Sequence, residues 1–315
     1  MRRLLFIRTD RMGDLLMSLP AIHAVRESFP EARISLLIQK ELEPLLEKHP
    51  DVDQIFSWDP GEGQGWVSTF RWGRRLRPER FDAAIVLNPT RFFHTAIFLA
   101  GIPIRVGYRR KSGFLLNRSI PDTKATRPLH ETQYNLELVQ LLGAKTASPI
   151  MELPDRQEAR QQAHELLASH QISASSHPIA IHPWTSNPAK SWPLDSFQQV
   201  ADRLQAAGRS ILIIGGPESR PLMETWKISG ASIADLVGQT PLQILPAVLR
   251  QCALLISNDS GPVHVAAAVG TPTIVVAPKE HGKTLNRWRP LGPGHRILLS
   301  STVEDVVHSV QEQLA

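Results

Sequence analysis

Three short segments combine polar side chains with small residues in patterns that could bind an anion or move a proton. The first, Arg8-Thr-Asp-Arg-Met-Gly-Asp14, directly follows an apolar run and leads into a helical pattern. It holds one glycine, so it matches neither the Gly-x-Gly-x-x-Gly turn of nicotinamide dehydrogenases nor a Gly-Lys-Ser/Thr phosphate loop. Asp14 is then either a helix cap or a carboxylate that takes a proton from an attacking hydroxyl group.

The second segment is the turn Asn258-Asp-Ser-Gly261, which lies between an apolar strand pattern and a helix of small residues. The N–H groups of Ser260 and Gly261 would point out of the helix start and form an anion site that suits a diphosphate. His264 falls in the first turn of that helix. A histidine alone would more often be a buried, hydrogen-bonded side chain, but the adjacent Asp-Ser-Gly turn favours a role in binding.

The third segment, His182–Pro193, follows another strand pattern. Its Lys190 is either a solvated loop lysine or a point charge for phosphate, and Thr185 or Ser186 could donate hydrogen bonds. Further along, Glu218 ends Gly-Gly-Pro-Glu after the next strand. This carboxylate could meet ribose hydroxyls, or the segment could be only a tight turn with a helix cap.

No metal site is expected. Asp51-Val-Asp53 superficially matches the Asp-x-Asp of metal-dependent sugar transferases, but its position between a helix and a strand favours a solvated loop. The twelve histidines and the single Cys252 show no zinc-like spacing. One cysteine cannot form an internal disulfide, which fits a reducing compartment.

The elements that position these segments alternate along the chain as in βα units, which predicts an α/β fold with parallel sheets. A length of 315 residues predicts two domains, 1–160 and 161–315, with the boundary region at 150–175. We expect two Rossmann-like, doubly wound domains that face a cleft, and the last helix could pack back on the first domain. The predicted strands are Leu4–Arg8, Ile34–Ile38, Ala83–Leu87, Ile104–Gly107, Ile179–His182, Ser210–Ile214, Ala253–Ser257 and Thr273–Val276.

Charge divides unevenly between the two halves. The net charge is +5, but residues 1–150 hold 22 Lys/Arg against 16 Asp/Glu, and residues 66–127 hold 13 against 3. Such a field suits a polyanion, which could be nucleic acid, anionic lipid or a phosphorylated glycan. The alternative is a solvated basic face that keeps the protein soluble.

The amino-terminal apolar run resembles a signal peptide only briefly, because Arg8, Asp10 and Asp14 interrupt it. The longest apolar stretch, 92–104, is broken by His94 and falls well short of the roughly 20 residues that span a bilayer. We therefore expect no membrane span and a cytoplasmic protein.

The segments, taken in order, resemble the ADP-heptose:lipopolysaccharide heptosyltransferases, glycosyltransferase family 9, which have the two-Rossmann GT-B fold. The resemblance covers nearly the whole chain and rests on Arg8–Pro20, Phe81–Asn88, Arg105–Tyr108, His130–Gly143, Lys190–Pro193 and Asp259–Thr273. It implies metal-independent, inverting transfer of heptose from ADP-heptose to an inner-core acceptor, Kdo or heptose. It also implies peripheral contact with the cytoplasmic face of the membrane.

Asp14 matches the base of this family, Lys190 and His264 match its diphosphate contacts, and Asp259 matches a contact to the donor sugar. The remaining donor-binding residues implied by the resemblance are Thr185, Ser186, Glu218, Thr240, Ser260 and Gly261. The phosphates and acidic sugars of the acceptor would meet Arg71, Arg74, Arg75, Arg77, Arg91, Arg109, Arg110 and Lys111. No cofactor is implied besides the donor substrate.

Two other classes of function stay open. The first is an enzyme of the same architecture that uses another sugar nucleotide, either a transferase or a 2-epimerase; an epimerase has no need of a basic acceptor patch. The second is a nucleic-acid-binding protein, because the basic stretch also contains Trp66, Phe70 and Trp72. A pure binder would have no need of Asp14 and the Asp-Ser-Gly-His segment.

Overall fold

The computed structural model describes residues 1–145, 149, 151–227, 230 and 232–315. They divide into two compact units, Met1–Pro154 and Asp155–Ala315. The predicted limits differ from this division by six residues because the polar helix Gln157–Ser169 belongs wholly to the second unit. Residue 150, where the predicted boundary region begins, lies outside the described residues.

The first unit is built from six strands and six helices among its described residues. The strands are β1 Arg3–Arg8, β2 Arg33–Gln39, β3 Gln54–Trp58, β4 Ala83–Val86, β5 Ile104–Tyr108 and β6 Arg118–Ile120. The helices are α1 Met12–Leu16, α2 Leu19–Ser28, α3 Glu43–Leu46, α4 Trp66–Leu76, α5 Arg91–Leu99 and α6 Glu131–Gln140. Short 3₁₀ turns span Lys40–Leu42, Pro60–Glu62, Arg77–Glu79 and Gly113–Leu115.

The described part of the second unit repeats this plan with one more helix. Its strands are β7 Ile179–His182, β8 Ile211–Ile213, β9 Ile233–Asp235, β10 Leu254–Ser257, β11 Thr273–Ala277 and β12 His295–Leu299. Its helices are α7 Gln157–Ser169, α8 Leu194–Ala206, α9 Arg220–Met223, α10 Leu245–Arg250, α11 Gly261–Ala268, α12 Gly282–Trp288 and α13 Val303–Leu314. Its 3₁₀ turns span Ala174–Ser176, Pro188–Lys190, Pro217–Ser219 and Lys279–His281, and α13 packs on α8 and β11.

Both sheets are parallel and have the same strand order. The first runs β3-β2-β1-β4-β5-β6 and the second β9-β8-β7-β10-β11-β12. The direction of winding reverses between β1 and β4 in one sheet and between β7 and β10 in the other. Ligands of doubly wound sheets bind at this reversal, at the carboxyl ends of the strands. The predicted α/β, doubly wound fold is confirmed.

All eight predicted strands are present, and four further strands extend the two sheets to six strands each. Three of the additional strands, β3, β6 and β9, have three to five residues, and β12 is only half-buried. They lie toward the outside of each sheet. Strands there are not completely covered by helices on both faces, so their sequences do not require a continuous run of apolar residues.

The central strands are almost completely buried, as strands covered by helices on both faces must be. From Leu4 to Ile7 in β1 and from Leu254 to Ile256 in β10, every side chain has 0% exposure. Polar groups at the ends of these strands therefore sit on a rigid base. Within the described residues, no helix has both the length and the apolar character that a membrane span requires.

Candidate functional site

The chain leaves β1 through a turn that side chains from two neighbouring strands hold in place. The Thr9 N–H donates to Asn88 Oδ1 at 3.3 Å, and Asn88 Nδ2 donates to Thr9 Oγ1 at 3.2 Å. Gln39 Nε2, from the end of β2, donates to the Thr9 carbonyl oxygen at 2.9 Å. Asn88 follows β4, so these hydrogen bonds lie at the point where the direction of winding reverses.

Asp14 lies in the first turn of α1, where its negative charge complements the helix dipole. The N-cap is Arg11, whose side chain makes no capping hydrogen bond, so Asp14 is not the cap residue that one interpretation of the sequence allowed. Its Oδ1 instead accepts a charge-assisted hydrogen bond from Arg8 Nη2 at 2.8 Å. With 18% of its side chain exposed, Asp14 remains accessible to a substrate.

The partner of Asp14, Arg8, is the last residue of β1 and is only 2% exposed. Its Nε donates to Asp10 Oδ1 at 2.7 Å, and both terminal nitrogens donate to Glu131 Oε1 at 3.1 Å. Glu131 is completely buried and also accepts from Lys124 Nζ at 2.8 Å. One buried guanidinium therefore connects three carboxylates, each in a fixed direction set by its planar fork.

Helix α6 fixes this arrangement from the other side. His130 is its N-cap and forms a capping box with Gln133, which places Glu131 in the first turn. Thr132 Oγ1 and Asn135 Nδ2 both donate to the carbonyl oxygen of Met17, at 3.2 and 3.1 Å. Met17 is the C-cap of α1, so α6 supports the helix that carries Asp14 as well as the arginine that binds it.

Burial governs the electrostatics of this cluster. Burial raises the pKa of Asp10 to about 6, and the attraction of Arg8 only partly opposes that change. Burial also disfavours a charged Arg8, but Asp10, Glu131 and Asp14 outweigh it, so its pKa is raised and it stays ionised. Lys124 lies 4.8 Å from the Tyr108 ring centroid, a cation–π contact that adds to its bond with Glu131.

At the corresponding point of the second unit, between β7 and β10, the polar contacts are mainly neutral. His182 Nδ1 lies 3.3 Å from Ser257 Oγ and 3.1 Å from Ser260 Oγ, and the two hydroxyl oxygens are 2.9 Å apart. Asn258 Nδ2 donates to the Pro183 carbonyl oxygen at 2.6 Å. Burial lowers the pKa of His182 to about 4, so its ring is uncharged at neutral pH.

Charge in the second unit is concentrated on Asp259. Its Oδ2 accepts from Lys190 Nζ at 2.6 Å and lies 2.8 Å from His281 Nε2. Burial opposes ionisation of Asp259, but the hydrogen bonds from Lys190 and His281 outweigh it, so its pKa lies below the usual value. Two residues predicted for the donor site, Lys190 and Asp259, are thus in direct contact, and His281 joins them.

The predicted strand, turn and helix at residues 254–268 are confirmed. Ser260 is the extended N-cap of α11 and Gly261 its first residue, while Pro262 has no N–H group. The Val263 N–H donates to the Ser260 carbonyl oxygen at 3.2 Å. The outward N–H groups of this helix start are therefore those of Ser260 and Gly261, and His264, 4% exposed, follows on the same turn.

The other predicted donor residues lie near the carboxyl edge of the second sheet. Thr185 and Ser186 follow β7, and Thr185 Oγ1 accepts from the Asn187 N–H at 3.3 Å. Glu218 is exposed in a 3₁₀ turn after β8, and its carboxylate folds over Gly216, where it fills the space that a Cβ would need. Thr240 follows β9 and is 9% exposed.

The basic residues predicted to bind the acceptor are exposed on the first unit. Arg71, Arg74 and Arg75 lie on α4, Arg77 follows it, Arg91 begins α5, and Arg109, Arg110 and Lys111 follow β5. Two of them have partners of their own: the Arg75 guanidinium lies 4.5 Å from the Trp72 ring centroid, and Arg110 pairs with Asp122 at 2.9 Å.

The loop that holds Asp51 and Asp53 is only partly solvated: Asp53 is exposed, as expected, but Asp51 is buried. Asp51 is 9% exposed, and its Oδ2 lies 3.0 Å from His23 Nδ1. Asp53 Oδ2 accepts from the Ile34 N–H and from Arg26 Nη2, at 2.7 and 2.6 Å. The aspartates anchor the loop because strand β3 begins directly after them. Among the described residues, no group of three His, Cys, Asp or Glu side chains could hold a metal ion.

The sequence did not predict the residues that form hydrogen bonds and ion pairs with the predicted site residues. Arg8 was assigned only to the end of a strand, although a charged residue that ends an apolar run must find a partner when buried. Glu131 and Lys124 lie more than a hundred residues along the chain, and His281 lies in a polar loop. Nothing in the local pattern of these three residues indicates their partners.

Comparison with known proteins identifies the family. The profile of glycosyltransferase family 9 (heptosyltransferase) matches residues 69–312. Lipopolysaccharide heptosyltransferase 2 of Escherichia coli is 27% identical over 288 residues, covering 87% of this chain and 82% of its own. Lipopolysaccharide heptosyltransferase 3 of Escherichia coli is 24% identical over 274 residues, covering 83% and 78%.

Solved structures of this family have the same fold. A family 9 glycosyltransferase from Veillonella parvula superposes with a TM-score of 0.88 at 20% identity, covering 99% of this chain and 97% of its own. ADP-heptose lipopolysaccharide heptosyltransferase II of Escherichia coli superposes with a TM-score of 0.81 at 23% identity, covering 100% and 98%. The GT-B assignment is therefore confirmed, and the chain is a glycosyltransferase that belongs to glycosyltransferase family 9, the heptosyltransferase family.

Proposed function

We propose that this enzyme transfers a heptose from ADP-heptose to an inner-core lipopolysaccharide acceptor, a Kdo or heptose residue, with inversion at the anomeric carbon. Relatives named lipopolysaccharide heptosyltransferases, 24 to 27% identical over more than four fifths of the chain, support heptose transfer and the acceptor class. The structural neighbour named ADP-heptose lipopolysaccharide heptosyltransferase II supports ADP-heptose as the donor. The observation that carries the mechanism is the accessible Asp14 carboxylate, held by buried Arg8 at the carboxyl edge of a doubly wound sheet.

In this proposal Asp14 takes the proton from the acceptor hydroxyl as that oxygen attacks the anomeric carbon. General bases of this kind contribute on the order of 10²–10⁴ in rate. Arg8 fixes the direction of the carboxylate, and Glu131 and Asp10 share the charge of Arg8. Arg8 is therefore not paired with Asp14 alone. An exclusive ion pair would hold the lone pairs of Asp14 away from the acceptor.

The second unit binds the donor. The ADP leaving group gains negative charge as the glycosidic bond breaks, and preorganised donors stabilise such charge most effectively. Lys190, His264 and the N–H groups of Ser260 and Gly261 supply these donors, while Thr185, Ser186, Glu218, Asp259 and Thr240 contact the sugar and nucleoside. No metal takes part in this proposal, since cationic side chains and a helix N-terminus serve the diphosphate.

The first unit binds the acceptor through its exposed basic residues, which suit the phosphates and acidic sugars of an inner core. We place the reaction in the cytoplasm, where the enzyme would meet the acceptor at the inner face of the cytoplasmic membrane. Arg71, Arg74, Arg75, Arg77, Arg91, Arg109, Arg110 and Lys111 form this acceptor surface.

A transfer assay tests the proposal. The purified enzyme is incubated with ADP-heptose and a soluble, deacylated inner-core acceptor in the presence of a chelator, and the product is identified by mass spectrometry and its anomeric configuration by NMR. We expect one heptose to be added with inverted configuration. Retained configuration, or transfer that stops with the chelator, would contradict the proposed mechanism.

A panel of sugar nucleotides decides the donor. We expect ADP-heptose to raise the melting temperature more than UDP- or GDP-sugars do, because ligand that binds the folded state alone stabilises it. Greater stabilisation by a UDP-sugar, or conversion of the sugar nucleotide without acceptor, would instead favour another transferase or a 2-epimerase. Salt-dependent retention of RNA without sugar-nucleotide binding would favour the nucleic-acid-binding alternative.

A further inference from the structure

Most of the large apolar side chains that the fold leaves exposed lie on neighbouring elements of the first unit. Of eight such residues among the described ones, five lie on α4, on α5 or in the 3₁₀ turn Gly113–Leu115. They are Trp66, Val67, Phe70, Phe98 and Phe114, with 73, 74, 55, 48 and 84% exposure. Isolated exposed apolar side chains are ordinary, but a cluster of aromatic ones marks an interaction site.

These elements pack in sequence on one another. Helix α4 packs closely on α5 at Gly73, where an added Cβ would lie 2.9 Å from Leu99 Cβ. Helix α5 packs in turn on the Gly113–Leu115 turn. Arg105 bridges the two, since its guanidinium lies 5.4 Å from the Phe98 ring centroid and its Nε donates to the Leu115 carbonyl oxygen at 2.6 Å.

The outer face of α4 does not take part in packing of the core. Its inner face already buries Trp72, Gly73 and Leu76 against the sheet and α5. Trp66, Val67 and Phe70 project outward from the amino-terminal half of the helix, and the arginines follow in the carboxyl-terminal half. An amphipathic helix normally exposes polar residues on its second face, so this apolar end has no structural purpose within the unit.

The charge around the cluster is positive. Arg71, Arg74, Arg77, Arg109 and Lys111 are exposed around it and make no ion pair within the described residues. Between residues 66 and 118 the chain holds two acidic residues, Glu79 and Asp82, against eleven Lys/Arg. Aromatic rings surrounded by arginines are characteristic of surfaces that insert into the interface of an anionic membrane.

We propose that the first unit docks directly on an anionic lipid bilayer through this surface, with Trp66, Val67, Phe70, Phe98 and Phe114 inserted at the interface and the positive field of the neighbouring basic residues attracting the anionic headgroups. This inference rests on the proposed function and deepens it, because it names the surface of this chain, and the lipid partner of that surface, through which the enzyme would reach a membrane-borne acceptor. Crossover helices run antiparallel to parallel strands, so the Trp66 end of α4 lies toward the sheet edge that carries Asp14.

Two other occupants fit the surface less well. Nucleic acid bases stack on aromatic rings, but an aliphatic side chain such as Val67 adds nothing to stacking. A second copy of the chain would bring two arginine-rich surfaces together, and like charges across an interface disfavour association. A bilayer interface accommodates rings, aliphatic groups and arginines together.

Vesicle flotation tests the proposal with the full-length protein. Wild type is compared with Trp66→Ser/Phe70→Ser/Phe114→Ser on vesicles of phosphatidylglycerol and phosphatidylcholine, and on phosphatidylcholine alone. We expect wild type to bind the anionic vesicles and the triple variant to bind them at least about tenfold more weakly, because apolar insertion is lost. Leu222→Ser, which removes a 52% exposed apolar side chain from the second unit, is the matched control and should bind as wild type does.

Fluorescence gives a second measurement that does not require the triple variant to fold well. All seven tryptophans lie within the described residues, and Trp66 alone among them is exposed. Its emission should shift to shorter wavelength on anionic vesicles and be quenched by lipids that carry a spin label in the acyl chain. Neither effect should occur in Trp66→Phe.

Several outcomes would overturn the proposal: no binding of wild type to anionic vesicles, equal binding of the triple variant, or complete competition by soluble glycerol phosphate. Aromatic-dependent binding of an RNA oligonucleotide, or a dimer that the triple substitution dissolves, would assign the surface to those partners instead. Transfer to the soluble, deacylated acceptor should continue in the triple variant, so failure of docking is distinguishable from failure of the proposed transfer reaction.

Discussion

The two units have the same strand order but stabilise the reversal of that order with different chemistry. Between β1 and β4, buried Arg8 connects three carboxylates in an ionised cluster. Between β7 and β10, a neutral His182 shares hydrogen bonds with Ser257 and Ser260, and one ion cluster forms around Asp259 nearby. An ionised cluster fixes the direction of a charged group, whereas a neutral one lets the backbone meet an anionic ligand without competing charge.

The largest expected effect separates the two units by function. Asp14→Ala removes the proposed base, and we expect transfer to fall at least about a hundredfold while ADP binding is unchanged. Steady-state kinetics and calorimetry with ADP measure the two quantities. Glu31→Ala, which removes an exposed carboxylate of the same unit, should alter neither. Unchanged turnover of Asp14→Ala would end the assignment of the base.

The second prediction tests the ionised cluster as a whole. Arg8→Met leaves Asp10, Asp14 and Glu131 without their shared cation, and breaking a buried ion pair costs about 3–5 kcal/mol of unfolding free energy. Arg8→Lys keeps the charge but cannot contact three carboxylates with a planar fork, so we expect a folded protein with impaired turnover.

Urea denaturation near neutral pH measures the stability of both Arg8 variants, and steady-state kinetics measures their turnover. A midpoint for Arg8→Met equal to that of wild type would show that the cluster contributes nothing to folding. Full turnover in Arg8→Lys would show that Asp14 needs only a nearby positive charge and not a fixed direction.

The contrast also explains how much the sequence could predict. The strands, the helices and the turns at Asp14 and Asn258–Gly261 could be predicted from the sequence, because apolar periodicity and small residues leave patterns that span only a few positions. The partners Glu131 and His281 could not be predicted, since α6 and the segment before α12 reach the strand ends only through the tertiary fold. The outer strands of each sheet could not be predicted either, because short outer strands bury too few apolar side chains to leave a recognisable pattern.

The third prediction concerns the ion cluster of the second unit. Lys190→Ala should weaken ADP binding roughly tenfold or more, through loss of one charge-assisted contact and through exposure of Asp259 to the diphosphate. The double variant Lys190→Ala/Asp259→Ala should recover part of the loss, because the carboxylate that Lys190 no longer neutralises is gone. Calorimetry with ADP checks this; additive losses in the double variant would contradict the role given to Asp259.

The smallest predicted effect concerns the response of each unit to acid, which differs in sign between His182 and Asp10. Burial lowers the pKa of His182 to about 4 from an unfolded value of 6.5, so the stability it contributes is present above pH 6.5 and is lost as the pH falls toward 4. Burial raises the pKa of Asp10 to about 6 from 3.8, so its contribution is fully present below pH 3.8 and is lost as the pH rises through 6. Lowering the pH from 7 to 5 should therefore cost wild type roughly 2 kcal/mol through His182, of which Asp10 offsets roughly 1 kcal/mol.

His182→Asn keeps a hydrogen-bonding side chain beside Ser257 and Ser260 but cannot be protonated, so it should lose that part of the acid sensitivity. Asp10→Asn should lose the opposite part and so become more sensitive to acid than wild type. Unfolding free energies from urea titrations at pH 7 and pH 5 measure both variants. If the two substitutions changed the pH dependence in the same direction, the two strand-order reversals would not differ in the electrostatic character that their contacts indicate.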